Sequence, residues 1–84
     1  MNTSKFLEVY KEIERLIQEN LAEIRQAYDL SEKYEYNRFF INSIDEVHIE
    51  LVSECYHEYD HEYVDIPLEY FESDEILKSH LTEI

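Results

Sequence analysis

Cys55, His57, Asp60 and His61 fall within seven residues of one another and are the side chains best able to do chemistry. Imidazole and thiolate suit zinc, and the His57–His61 spacing is that of half a zinc finger. The other half is missing, because Cys55 is the only cysteine in the chain. The stretch also reads as a hairpin end, where residues four apart are not brought together as they are on a helix. A Cys55–His57 thiolate–imidazole pair is the other chemical possibility. Alternation places Cys55 on an apolar strand face, however, where cysteine behaves as a small hydrophobe. No loop of oxyanion donors accompanies it. Glu50 and Glu54 could pair as acid and base, but nothing around them forms the pocket that would raise one pKa. His48 and His80 read as surface residues. Glycine is absent, which removes every glycine-rich phosphate loop. The expectation is therefore no catalytic residue, no metal and no cofactor: the chain is not read as an enzyme.

The elements that position these side chains follow from apolar periodicity. Phe6, Tyr10, Ile13, Ile17, Leu21, Ile24 and Tyr28 recur at spacings of three and four, with Val9 and Leu16 widening the stripe, so residues 4–30 are predicted to form one long helix. Thr3 or Ser4 can cap it, and Glu8 suits its first turns. Lys11–Glu14, Arg15–Glu19 and Arg25–Asp29 are spaced to pair along it. The period then changes. Residues 36–44 favour a strand by their aromatic and β-branched content, and a turn is expected near 43–46. In residues 47–56, Val47, Ile49, Leu51, Ser53 and Cys55 alternate with His48, Glu50, Val52, Glu54 and Tyr56. After a turn at 57–60, a third strand at 61–66 sets Glu62, Val64 and Ile66 against Tyr63 and Asp65. Pro67 ends it and opens a helical turn at 68–71, and Ser73-Asp74-Glu75 starts a last short helix running to His80 or beyond. Lys78 and His80 suit the end of that helix. Without glycine, Asn42, Asp45 and Asp60 are the expected left-handed turn residues.

Residues 1–84 thus read as a single acidic α+β domain: a long N-terminal helix packed on a three-stranded antiparallel meander, followed by one or two short helices. The helix also fits a heptad, Phe6, Tyr10, Ile13, Ile17, Asn20, Ile24 and Ala27, in which Asn20 could fix the register of a homodimer. The alternative, favoured here, leaves Asn20 at the edge of a stripe packed on the sheet. Either a monomer or a homodimer is compatible with the pattern. The start of the chain lacks a signal-peptide apolar run, and the longest strongly apolar run, Phe39-Phe40-Ile41, is far too short to span a bilayer. A reducing cytoplasm is the expected location.

Charge is the outlying property. Twenty-one acids face seven Lys and Arg, a formal net charge of −14, in a chain whose 44% hydrophobic content, eight Tyr and four Phe are those of a folded domain. Residues 1–38 carry eight acids and six bases, whereas residues 39–84 carry thirteen acids and Lys78 alone. Bare nucleic acid and anionic membranes should repel such a surface and basic grooves attract it. Alternate strand residues lie roughly 6.8 Å apart on one face, a scale similar to that of successive phosphates. Glu46, Glu50 and Glu54 share a predicted face, with Glu58 and Asp60 in the next turn, Asp65 on the third strand, and Glu69, Glu72, Asp74 and Glu75 beyond. Tyr56 and Tyr63 fall among them as candidate anchors. A solvated face that merely keeps the protein soluble has the same composition.

Small size, extreme acidity, the helix–three-strand–helix order and Tyr interleaved with Asp and Glu resemble phage-encoded nuclease inhibitors, the anti-CRISPR and anti-restriction proteins, some of which mimic DNA. The likeness is one of character and covers the second half of the chain. It implies occupation of a DNA- or PAM-binding groove on a basic nucleic-acid-binding protein, such as a nuclease or CRISPR effector, without direct binding to nucleic acid. Three other classes compete: an immunity protein or antitoxin neutralising a basic nuclease toxin, a structural or adaptor subunit using the helix stripe, and an enzyme built on Cys55, His57 and His61.

Overall fold

A computed structural model describes the backbone of residues 3–55 and 58–84, and the side chains of residues 7–54 and 58–84. The expectations placed on Tyr56 and His57, and on the side chains of Thr3, Ser4, Phe6 and Cys55, lie outside the described residues. The apolar stripe behaves as its period dictates: Ile13, Leu16, Ile17 and Ile24 are all buried. They lie on two helices, α1 (Thr3–Glu19) and α2 (Leu21–Ala27), not on one helix reaching residue 30. The break is at Asn20, whose φ of −110° and ψ of 19° leave the helical region. Its side-chain Nδ2 donates to the Leu16 carbonyl at 2.9 Å, the same oxygen that accepts its backbone N–H at 3.1 Å. Side-chain competition of this kind bends helices. Ile24 N still reaches the Asn20 carbonyl at 2.9 Å, so α2 continues α1 through a kink and not through a loop.

α2 stops in a left-handed residue, Asp29, at φ 55°. Leu30 N bonds the Arg25 carbonyl at 2.8 Å and Asp29 N the Gln26 carbonyl at 3.3 Å, the paired bonds of a Schellman ending. The other left-handed residue among those described is Asp45, at φ 57°. Of the expected left-handed residues Asp45 is therefore right, while Asn42 and Asp60 are not. Asn42 accepts the N–H groups of Ile44 and Glu46 on Oδ1 and so closes its turn from the side chain. Asp60 is a strand residue.

The three strands, β1 (Glu35–Ile41), β2 (Glu46–Cys55) and β3 (Glu58–Pro67), form an antiparallel sheet in the order β1-β2-β3. β1 ends three residues early because Asn42–Asp45 is already turn. β3 begins three residues early because Glu58 and Asp60 extend the ladder opposite Cys55 and Ser53. A 3₁₀ turn (Leu68–Phe71) and α3 (Asp74–Thr82) complete the α+β fold. Ser73 caps α3 by accepting the Ile76 N–H at 3.1 Å.

Phe39, Val47, Ile49, Leu51, Val64 and Ile66 point to one side of the sheet and are buried against the helices, with Phe71, Leu77 and Leu81 closing the end. Each fully buried aliphatic side chain contributes roughly 1.5–3 kcal/mol. Tyrosines tie the layers together. The Tyr10 ring stacks on Phe39 at 4.3 Å, and Tyr36 donates to Glu14 Oε2 at 2.7 Å. Tyr34 is itself core and donates to Asp60 Oδ2 at 2.5 Å. These bonds displace two expected helix pairs. Glu14 serves Tyr36 in place of Lys11, and Arg25 donates to the carbonyls of Glu32 and Tyr34 in place of Asp29. Arg15–Glu19 forms as expected, with Glu12 added on the other side. Among the described residues no helix is long and apolar enough to cross a membrane.

Candidate protein-docking face

All helices lie on one side of the sheet, so the other side is uncovered. Strand register arranges that outer face in rows. Arg38, Glu50 and Tyr63 form one; Phe40, His48 and Asp65 the next. Glu35, Val52 and His61 form a third, and Glu54 opposes Tyr59 beyond it.

The centre of this face is not an open carboxylate. Glu50 is only 5% exposed. The pairing of β1 with β2 slips by one residue between Tyr36 and Arg38, a β-bulge at Asn37. The bulge brings two consecutive side chains to the same acid: Asn37 Nδ2 donates to Glu50 Oε2 at 3.1 Å, and Arg38 Nε to the same oxygen at 2.6 Å. From β3, His61 Nδ1 lies 2.9 Å from Oε1. The Arg38 hydrogen bond, followed by those from His61 and Asn37, holds the Glu50 carboxyl below the usual range despite its burial. Glu50 is a neutralised interior post of the sheet, and its expected role as an exposed partner contact is corrected accordingly.

Beside it runs an aromatic ladder across all three strands. His48 packs between Phe40, at a ring distance of 4.7 Å, and Tyr63, stacked at 5.0 Å with 19° between planes. Phe40 and Tyr63 are 54% and 55% exposed. His48 Nδ1 also lies 2.6 Å from Asp65 Oδ1 and orients that carboxylate at the β3 edge. His48 is thus a member of the face and not an isolated surface residue.

The remaining predicted contacts are distributed differently from one continuous array. Glu46 is on the outer face, with Oε1 accepting from Asn42 at 3.1 Å; Glu54 is exposed there. Glu58 and Asp60 are not in a turn. They share the parity of Val64 and Ile66, which puts them on the helix side, where Asp60 binds Tyr34. Glu69 and Glu72 are exposed at and after the 3₁₀ turn. Asp74 and Glu75 open α3, Asp74 accepting from Asn20 at 2.8 Å and Lys78 at 3.2 Å. Tyr56 lies outside the described residues. Phe40, Asn37, Arg38 and His61 belong to the outer face although the charge pattern did not single them out. For Phe40 the signal was present, since a strand that buries Phe39 exposes its neighbour. The bulge that recruits Asn37 left no mark on the pattern.

No family model matches the chain, and neither does any curated protein or solved structure.

Proposed function

We propose that this chain is an acidic protein-binding inhibitor that occupies the basic nucleic-acid-binding groove of a nuclease or similar protein, as DNA mimics do. The observation that carries this reading is the segregation of charge by the fold. The base-free residues 39–77 make up the end of β1, β2, β3, the 3₁₀ turn and the start of α3, while six of the seven bases stay with α1, α2, the first half of β1 and their connections. The uncovered face therefore combines the exposed carboxylates of Glu54 and Asp65 with the exposed rings of Phe40, Tyr59 and Tyr63, a composition suited to a basic partner. The adaptor alternative loses support, because the Ile13, Leu16, Ile17 and Ile24 stripe it requires is spent on the chain's own core. An immunity protein would use the same surface on a toxin.

Competition tests the reading. A partner captured on the immobilised protein is loaded with a labelled duplex and titrated with free protein at several salt concentrations. Displacement of the duplex, weakening steeply with salt, is expected. A partner that holds both ligands with undiminished affinity overturns groove occupation.

A further inference from the structure

The uncovered face offers a stack of rings flanked by one oriented carboxylate, and this favours a particular cation. Phe40 and Tyr63 present ring surface on either side of His48, and Asp65 stands at the β3 end with Oδ1 held by His48. Among the described residues, Asp65 Oδ2 accepts no hydrogen bond. The central acid contributes no free charge, since Glu50 is paired with the Arg38 guanidinium. Arg38, whose side chain is 75% exposed, keeps positive charge on the β1 side and so repels a second cation there. The cation-accepting part of the face is therefore the Tyr63–Asp65 side.

A guanidinium is planar, stacks on aromatic faces and meets a carboxylate with its N–H fork, whereas an ammonium is a strongly hydrated point charge. Resting on the functional reading above, we propose that this face docks an arginine side chain of the basic partner, its guanidinium over Tyr63 and its N–H groups on Asp65. Charge complementarity selects the occupant: a second copy of the chain would bring another net charge of −14 to the same surface.

The test uses two synthetic peptides of equal length and charge, oligoarginine and oligolysine, titrated into the ¹⁵N-labelled protein. Oligoarginine should bind roughly two- to fivefold tighter, the gain expected of one exposed cation–π contact. Its shift perturbations should centre on Phe40, His48, Tyr63 and Asp65. Tyr63→Phe should keep the preference. Tyr63→Leu, which retains apolar bulk but no ring, and Asp65→Asn should each abolish it, while Glu83→Gln, which removes one remote charge, should not. The fold of every variant is read from the same spectra. Equal affinity for the two peptides, or a preference that survives Tyr63→Leu, overturns this docking mode but leaves groove occupation standing. Arginine preference together with a partner that keeps its nucleic acid would instead sustain the docking mode and overturn groove occupation.

Discussion

Asn20 Nδ2 donates to Asp74 Oδ1 at 2.8 Å, joining residues 54 positions apart in the chain. Asn20 is completely buried and also bonds Leu16, so a single amide kinks α1 into α2 and fastens that kink to the first residue of α3. The edge position expected for Asn20 is corrected by this enclosure. The amide is also the largest influence holding the Asp74 carboxyl below its usual range, ahead of Lys78. Asn20→Ala deletes the amide's hydrogen bonds to the Leu16 carbonyl and to a carboxylate, and should destabilise the protein by about 1–3 kcal/mol. At roughly 4–8 °C per kcal/mol for a domain of this size, the loss is easily read by thermal circular dichroism. Asp74→Ala should cost less in the Asn20→Ala background than alone; strict additivity would show that the two side chains are not coupled.

Glu50 and Glu54 sit four residues apart on one strand face, yet reversing them should have different consequences. Glu50→Lys places a cation against Arg38 and His61 in a nearly closed site and should lower the melting temperature. Glu54 is exposed without a side-chain partner among the described residues, so Glu54→Lys should change stability by no more than about 0.5 kcal/mol. Loss of partner binding in Glu50→Lys must therefore be compared with its folded fraction, whereas in Glu54→Lys it reports the interface directly.

Stability should decline at both ends of the pH scale for identifiable reasons. Glu50 and Asp74 have carboxyl pKa values depressed by their hydrogen bonds to Arg38 and Asn20. Their contribution is complete above the unfolded values, about 4.3 and 3.9, and is lost as pH falls through the lower folded ones. Tyr34 is pushed up to about 12, first by its hydrogen bond to Asp60 and then by burial. Tyr36 is raised further, by burial and then by Glu14. What these neutral phenols contribute is complete below about pH 10 and is lost as pH rises through the raised folded values. Glu50→Gln should flatten the acid limb of a denaturation–pH profile and Tyr34→Phe the alkaline limb. Limbs unchanged by either substitution would assign the pH dependence to other groups.

Ile17 and Ile24 are fully buried on either side of the Asn20 kink. Truncating either to alanine should cost about 2–5 kcal/mol, and urea unfolding midpoints would measure it. Two variants as stable as the parent would mean that the helices do not pack on the sheet through this stripe.

Apolar spacing was enough to locate the helical stripe and the alternating second and third strands, while aromatic and β-branched content marked β1, Pro67 the 3₁₀ turn and Ser73-Asp74-Glu75 the start of α3. Boundaries were less legible where side chains intervene: Asn20 breaks a periodic stripe without altering its spacing. Asp29 took a left-handed ending normally given to glycine, and the cue was its place directly after Tyr28, the last periodic residue. The candidate site was legible in parity and illegible in pairing. Alternation put Glu50 and Tyr63 on the outer face correctly, but only the strand register sets Arg38 and His61 beside that acid. Counting acids overstated the array, since Tyr34, His48, Asn20 and Arg38 each engage one of them.

The single covered side of the sheet writes two interleaved messages into each strand. In β2 the odd positions 47, 49, 51 and 53 are buried and the even ones face outward; in β3 the inward set is even, from Val64 to Ile66. Substitutions accumulating on the outward set can retune what the chain recognises without reopening its core, so selection by a changing partner can act on one message while the other stays constant. Glu50 interrupts that freedom, an outward position bound to the fold as firmly as an inward one. A saturation scan of β2 should therefore show tolerance alternating residue by residue, with one beat missing at position 50.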